Sequence, residues 1–234
     1  MATVGSRKRR VEVVAVAAVG LIAAVAGGFL LGARLAEDPG DDAPPGTGSV
    51  DAGFLRDMQV HHAQAVQMSV IVRDRTTDPE VRTLALDIEL SQQQQIGQMY
   101  GWLADWGLPQ TDTGPAMAWM RNDDVGDAHA PDDMASMGSG GMGSDDMASD
   151  GQMPGMATAA DVERLRELRG REAERLYLQL MIPHHQAGVA MAEYALANAT
   201  DPQVQNLAQR IVEAQTAEIK ALQDMLDDRG GPLP

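Results

Sequence analysis

One segment of this chain occurs twice, and this internal repeat limits the fold more than any other feature of the sequence. Residues 54–107 align without a gap to residues 177–230, at a constant offset of 123 residues. Both copies contain a Thr-Asp-Pro sequence, at 77–79 and at 200–202, with matching apolar residues around it. An ungapped repeat of this kind indicates a domain that is built from two copies of one structural unit.

Each copy has the pattern of a helical hairpin. Apolar residues and a histidine recur at steps of three and four across residues 54–72, which predicts that they share one face of a helix. Asp78-Pro79 and the matching Asp201-Pro202 each supply an N-cap and a first-turn proline for a second helix. Because two hairpins cannot bury their apolar faces separately, the sequence predicts an all-α fold, a four-helix bundle made of two hairpins.

Some local features differ between the copies. Pro183 stands inside the helix of the second copy where the first has Val60, and a proline there predicts a kink. A short charged helix, Asp161–Arg169, comes before it, and we expect Asp161 as its cap and Gly170 as its end.

If the helices alternate in direction, the first helices of the two hairpins lie parallel and diagonal, although the long connection also permits other arrangements.

Composition divides the chain into further segments. Residues 37–50 are rich in Pro, Gly and Asp, which is typical of a flexible tether, and residues 110–160 have no helical periodicity. We therefore predict an N-terminal membrane or signal segment, a linker, a first hairpin, an insert and a second hairpin, at residues 1–36, 37–50, 51–109, 110–160 and 161–230.

The N-terminus combines a basic cluster, residues 7–10, with an uncharged apolar run, residues 13–33. At a rise of about 1.5 Å per residue, a helix over this run matches a hydrocarbon core of about 30 Å. We favour an uncleaved membrane anchor, with a cleaved signal at the small residues 24–26 as the alternative. Both interpretations place the rest of the chain outside the cytoplasm, because the basic cluster stays inside.

The composition excludes several kinds of site. The chain has no cysteine, which excludes disulfides, thiolate metal sites and thiol catalysis. Any metal must therefore be held by His, Met, carboxylate or backbone groups. The formal net charge of −16 repels phosphate backbones, which argues against nucleic acid as a partner and favours cations.

The first helix of each hairpin carries residues that bind soft metals. Methionine occurs three residues before a His-His doublet in each copy, and again seven residues after the first histidine. These spacings place the side chains on one side of a helix. Thioether and imidazole ligands favour Cu(I), with Cu(II) next and zinc or iron less favoured. The eight candidate ligands are His61, His62, His184, His185, Met58, Met68, Met181 and Met191.

The absence of the Glu-x-x-His sequences of di-iron bundles argues against a ferritin-type oxidase. Gln92 and Gln215 lie at matching positions of the second helices and are candidates to orient the imidazoles. Buried methionines are often only core filler, and this is the interpretation we take for Met99 and Met225. Whether the two doublets meet at one metal site or form two is left open.

The insert is a second candidate site for copper. It intersperses methionine with Asp and Gly, so we expect it to be disordered in isolation yet able to gather thioethers around Cu(I). A solvated linker is the alternative interpretation, and His129 adds only weak evidence for metal binding. The candidate ligands of the insert are Met134, Met137, Met142, Met147, Met153 and Met156.

The doubled motif Phe54-Leu55-x-x-Met58-x-x-His61-His62 and its second copy resemble the bacterial family catalogued as domain of unknown function 305. The resemblance covers about residues 51–230. It implies a ferritin-like four-helix bundle, usually exported, with periplasmic copper binding in some members. The first copy has Gln95 where the second copy has Glu218, so the two hairpins need not bind metal equally. Glu218 joins the candidates that would orient a histidine.

These observations favour a membrane-tethered or secreted protein that sequesters or delivers copper. Its partners would be the metal ion, the membrane through the N-terminal helix, and a copper-handling protein or a second copy of the chain. Two alternatives are a metal-dependent oxidoreductase in the bundle and a metal-free helical interaction module. No acid–base pair or nucleophile accompanies the histidine doublets, so we lean against an enzyme.

Overall fold

The computed structural model describes residues 43–121 and 153–234, and within these ranges the chain is all-helical, without β-strands. This confirms the predicted all-α class for the described part of the chain. None of the described helices has the length and apolar character that a membrane span requires. The predicted anchor, residues 1–36, lies outside the described ranges. The α-helices of these two ranges are α1 Val50–Arg75, α2 Pro79–Asp105, α3 Ala159–Glu167, α4 Gly170–Asn198 and α5 Pro202–Asp228, with a 3₁₀ turn at Ala118–Met120.

The helix boundaries repeat at the offset seen in the sequence. Helices α1 and α4 end at the equivalent residues Arg75 and Asn198, and α2 and α5 span equivalent ranges. Asp78 caps α2 as predicted, because its carboxylate accepts the backbone N–H groups of Glu80 and Val81 at 3.0 and 3.1 Å. Asp201 caps α5 in the same way. The two copies therefore fold into the same hairpin.

The short helix before the second copy begins earlier than predicted. Its N-cap is Thr158, whose hydroxyl accepts the Asp161 N–H at 3.1 Å while the Asp161 carboxylate accepts the Thr158 N–H at 3.2 Å. Asp161 is therefore the third helical residue of a capping box, and its predicted role as the N-cap is wrong. Gly170 does not end this helix but opens α4, which then continues without a break through Pro183 to Asn198.

The hairpins α1–α2 and α4–α5 join through α1 and α4, which run antiparallel. The up-down-up-down order, in which these two helices would lie parallel and diagonal, is not the arrangement found, and the long connection between the hairpins also allowed others. Three contacts show the antiparallel direction, because the residue numbers rise along α1 while those of their partners in the second hairpin fall. The contacts are Asp51 with Thr200, His61 with His184 and Ser69 with Tyr177. Because His61 and His184 are equivalent positions of the repeat, an approximate two-fold axis passes through their contact.

The apolar core forms two clusters on either side of the histidines. The Phe54 cluster includes Phe54, Met58, Met99, Leu103, Met191, Leu207 and Ile211, from all four long helices. The Tyr177 cluster includes Met68, Val72, Ile88, Leu165, Tyr177, Met181 and Leu222. Along both α1 and α4, the histidine doublet falls between the residues of one cluster and those of the other.

Two buried acidic residues tie the hairpins together. Asp51 is only 1% exposed and accepts the backbone N–H groups of Thr200 and Asp201, at 3.0 and 2.8 Å, in the turn between α4 and α5. Glu174 is the equivalent residue of the second copy, and it accepts a hydrogen bond from the Thr76 hydroxyl in the turn between α1 and α2. The first helix of each hairpin thus holds the turn of the other hairpin.

We expect Asp51→Ala to lower the free energy of unfolding by about 2 kcal/mol, because it removes the buried carboxylate that accepts the N–H groups of Thr200 and Asp201. Urea denaturation followed by circular dichroism measures this change. Asp224→Ala is the matched control, since Asp224 is 65% exposed and pairs with the exposed Lys220; we expect a loss below about 0.5 kcal/mol. Equal losses in the two variants would contradict the role of Asp51.

Candidate metal centre

His61 and His184 lie against each other in the middle of the α1–α4 pair. Their ring centroids are 3.8 Å apart, the ring planes are inclined by 33°, and both side chains are fully buried. Neither ring nitrogen of either histidine has a hydrogen-bond partner among the described residues. Helical periodicity explains the placement, because both residues continue the apolar stripe that each helix buries.

His62 and His185 lie at the flanks of this contact, each held by the second helix of its own hairpin. His62 Nε2 is 2.7 Å from Gln95 Oε1, and His185 Nε2 is 2.8 Å from Glu218 Oε2. Because a carboxylate oxygen only accepts, Nε2 of His185 donates, and a neutral imidazole then has its lone pair on Nδ1. The Gln95 oxygen accepts from Nε2 of His62 in the same way. Both Nδ1 atoms are buried without a protein partner in the described part of the chain.

Gln95 is a site residue that the sequence interpretation did not select. Both imidazole partners lie 33 residues after the histidine they contact, so the repeat itself carried the signal. Gln92 and Gln215 were the predicted orienting residues, but their buried amides contact no histidine through a hydrogen bond in the described structure. Gln215 instead packs against α4, where a Cβ at Gly188 would lie 2.3 Å from its Oε1.

The four candidate thioethers lie in two pairs, one in each core cluster. Met58 and Met191 belong to the Phe54 cluster, and Met68 and Met181 belong to the Tyr177 cluster. Each pair draws one methionine from α1 and one from α4, and all four are at most 1% exposed. The structure therefore places two of the candidate thioethers in the apolar cluster on each side of the histidines.

Ten buried polar atoms of these histidines and of Gln92 and Gln215 have no partner in the described part of the chain: six imidazole nitrogens and both amide atoms of each glutamine. Buried polar atoms are nearly always paired, and each unpaired one costs about 1–3 kcal/mol. Within residues 43–121 and 153–234, no three His, Asp or Glu side chains converge to hold a metal ion by themselves. The donors that do lie here, imidazole with thioether and amide, fit a soft or borderline metal better than a hard one.

Burial keeps the imidazoles of His61, His62 and His184 neutral. It is the main cause that lowers the pKa of His62 to about 3, and the pKa values of His61 and His184 lie well below 6.5 for the same reason, with neighbouring histidines adding to the effect. Neutral nitrogen atoms are available to a metal without the loss of a proton.

Two of the six candidate ligands of the insert, Met153 and Met156, lie within the described residues. Met134, Met137, Met142 and Met147 lie outside the described residues, as does His129. Met153 is 7% exposed and belongs to the Phe54 cluster, and Met156 packs against that cluster. The C-terminal end of the insert is thus part of the folded domain.

Residues 51–226 match the family described as domain of unknown function (DUF305). The chain belongs to the DUF305 family. Among solved structures it is similar to a DUF305 protein of Streptomyces coelicolor whose description proposes secretion, with 43% identity and a TM-score of 0.66, covering 81% of this chain and 99% of the other. It is also similar to a DUF305 fragment of Deinococcus radiodurans, with 34% identity and a TM-score of 0.58, covering 79% and 99%.

The DUF305 fold is shared by a more distant protein, CopM in its Cu(I)-bound form. The identity is 23% and the TM-score 0.51, covering 76% of this chain and 96% of CopM. A curated relative, protein L153 of Acanthamoeba polyphaga mimivirus, is 43% identical over 49 residues, and the chain spans 32% of its length. The resemblance seen in the sequence is therefore confirmed at the level of the family.

We expect the metal-free DUF305 domain to lose stability as the pH falls from about 7 towards 3. The unfolded chain takes up protons on these histidines near the ordinary pKa of about 6.5, whereas the folded chain does so only far below it. Thermal unfolding across this range measures the effect. The loss of stability between about pH 7 and 5 should be smaller in a His61→Leu/His184→Leu variant, because carboxylates titrate mainly below about pH 5 and contribute little to this loss. A melting temperature that stays constant from about pH 7 to 5 would contradict it.

Proposed function

We propose that this DUF305 protein binds copper outside the cytoplasm and sequesters it or hands it over. The observation that carries the proposal is the layer of four buried, uncharged or carboxylate-paired histidines between two pairs of buried thioethers. Imidazole and thioether together prefer Cu(I) and also serve Cu(II), and the absence of cysteine leaves them as the soft ligands of the chain.

His61 and His184 would be the central ligands, since all four of their ring nitrogens lack a protein partner among the described residues. His62 and His185 would offer their Nδ1 atoms at the flanks of this pair, since no three His, Asp or Glu side chains of the described ranges converge on one ion. Met58, Met68, Met181 and Met191 would supply thioethers from the adjoining clusters. Bound copper would supply a soft cation that offsets the cost of the unpaired nitrogens, and the protein would gain stability from binding.

An extracytoplasmic location agrees with the N-terminal sequence, whose basic cluster and apolar run would direct the domain across a membrane. It also agrees with the description of the Streptomyces coelicolor relative. CopM, which shares the fold, has been crystallised with Cu(I) and with Cu(II). We propose an uncleaved anchor as the mode of attachment, with secretion after cleavage as the alternative.

A Cu(I) competition titration of the full chain tests the proposal. The variant with His61, His62, His184 and His185 all replaced by Ala should bind Cu(I) at least about 100-fold more weakly, since it loses the imidazole ligands. His129→Ala, outside the doublets, is the matched control and should keep the affinity of the unchanged protein. Unchanged affinity in the fourfold variant would overturn the proposed role of the histidines, and a lack of Cu(I) binding by the unchanged chain would favour a metal-free interaction module.

The pairing of His185 with a carboxylate, and of His62 with an amide, should make the two hairpins unequal. A carboxylate partner makes an imidazole a stronger ligand and adds negative charge near the metal. We expect Glu218→Gln to weaken Cu(II) binding by about tenfold and Gln95→Glu to strengthen it. Titrations of both single variants measure the change, and equal affinities in the two variants would contradict this role of Glu218.

A further inference from the structure

The C-terminal end of the insert, residues 153–157, crosses the outer face of the α1–α4 pair; we call this segment the strap. On the α1 side, the Gln64 amide donates to the Ala157 carbonyl at 2.9 Å and accepts the Ala157 N–H at 2.7 Å. Gln64 follows His61 by three residues, so this double hydrogen bond lies within one helical turn of the histidine.

On the α4 side, the strap approaches the helix so closely that a side chain would not fit. Gly155 has a φ of +74°, and a Cβ there would lie 2.5 Å from the Pro183 carbonyl oxygen and 2.6 Å from the Ala187 Cβ. Ala187 follows His184 by three residues and is the repeat equivalent of Gln64. The strap therefore crosses the approximate two-fold axis, directly outside the His61–His184 contact.

The strap brings two thioethers to this place. Met153 is buried in the Phe54 cluster, which also contains Met58 and Met191, and Met156 packs on the same cluster. Both methionines also line a surface cleft of about 460 Å³, together with Asp57 and Val60 of α1. Their sulfur-bearing side chains thus belong both to the surface and to the core cluster next to the histidines.

We propose that Met153 and Met156 form a second, weaker site for a soft monovalent cation, through which copper enters and leaves the buried centre. The inference rests on the proposed function. Thioethers are neutral and soft, so they bind Cu(I) or Ag(I) without releasing a proton and exchange it readily for imidazole. The cation keeps its charge throughout, because the transfer only replaces thioether ligands by other thioethers and imidazole.

Two features of the surroundings favour a cation at this site. Asp57 and Asp112 line the cleft against the single cation Arg56, although Asp57 also accepts the Met117 N–H and the Trp119 Nε1–H. The chain as a whole carries a formal net charge of −16. Leucine would fill the same space in the Phe54 cluster, so packing alone does not require sulfur at either position.

Titration of the full chain with Ag(I), which is soft and stable to air, tests the proposal. We expect a tight class and a weaker class of sites in the unchanged protein. Met153→Leu/Met156→Leu should lose the weaker class and load the tight class about tenfold more slowly in stopped-flow mixing. Both changes conserve volume, so the fold should persist.

Two further variants separate the explanations. Leucine at Met134, Met137, Met142 and Met147 together should leave the weaker class intact, which assigns it to the strap rather than to the rest of the insert. The fourfold His→Ala variant should lose the tight class and keep the weaker one. If the tight class is missing from the unchanged protein, the proposed function fails. If the weaker class is missing there, or persists in Met153→Leu/Met156→Leu, the strap site is overturned.

Discussion

The rest of the structure is arranged around the contact between His61 and His184, where the two hairpins meet. Equivalent residues of a repeat can touch each other only on the axis that relates the copies, so this 3.8 Å ring contact locates the axis. Apolar side chains would be more stable at this place, because each unpaired buried polar atom costs about 1–3 kcal/mol. The chain instead keeps imidazoles at its most constrained position, and the two apolar clusters on either side offset their cost. Such local conflicts with stability are typical of functional sites.

The register between α1 and α4 is what brings equivalent histidines together. A shift by one helical turn, about 5.4 Å, would separate the rings and place a histidine against an apolar cluster. Asp51 and Glu174 oppose such a shift, since each binds the turn of the opposite hairpin at a distance of several turns from the histidines. The symmetric position of these two acids means that the register is held at both ends of the helix pair. The geometry of the centre is thus set by residues far from it.

Much of this architecture could be predicted from the sequence, because the repeat and the Asp-Pro caps are local signals. The hairpins and their starts follow from them. The antiparallel direction of α1 and α4 could not be predicted, since the long connection between the hairpins allows either direction. Gln92 and Gln95 show the same limit at the site. They lie three residues apart on nearly the same face of α2, and the rotation of α2 against α1 decides which one reaches His62.

The approximate symmetry gives the centre two equivalent halves, but the strap can lie on the axis only once. It hydrogen-bonds to Gln64 of α1 and packs its glycine against α4 at Ala187, so the two equivalent positions make different contacts. At the neighbouring pair, Val60 stays 54% exposed and lines the cleft, whereas the equivalent Pro183 meets the strap backbone. A symmetric set of ligands would offer a metal two equal routes. The strap makes the two sides different. Its methionines line a cleft on the α1 side, and its backbone packs directly against the helix on the α4 side.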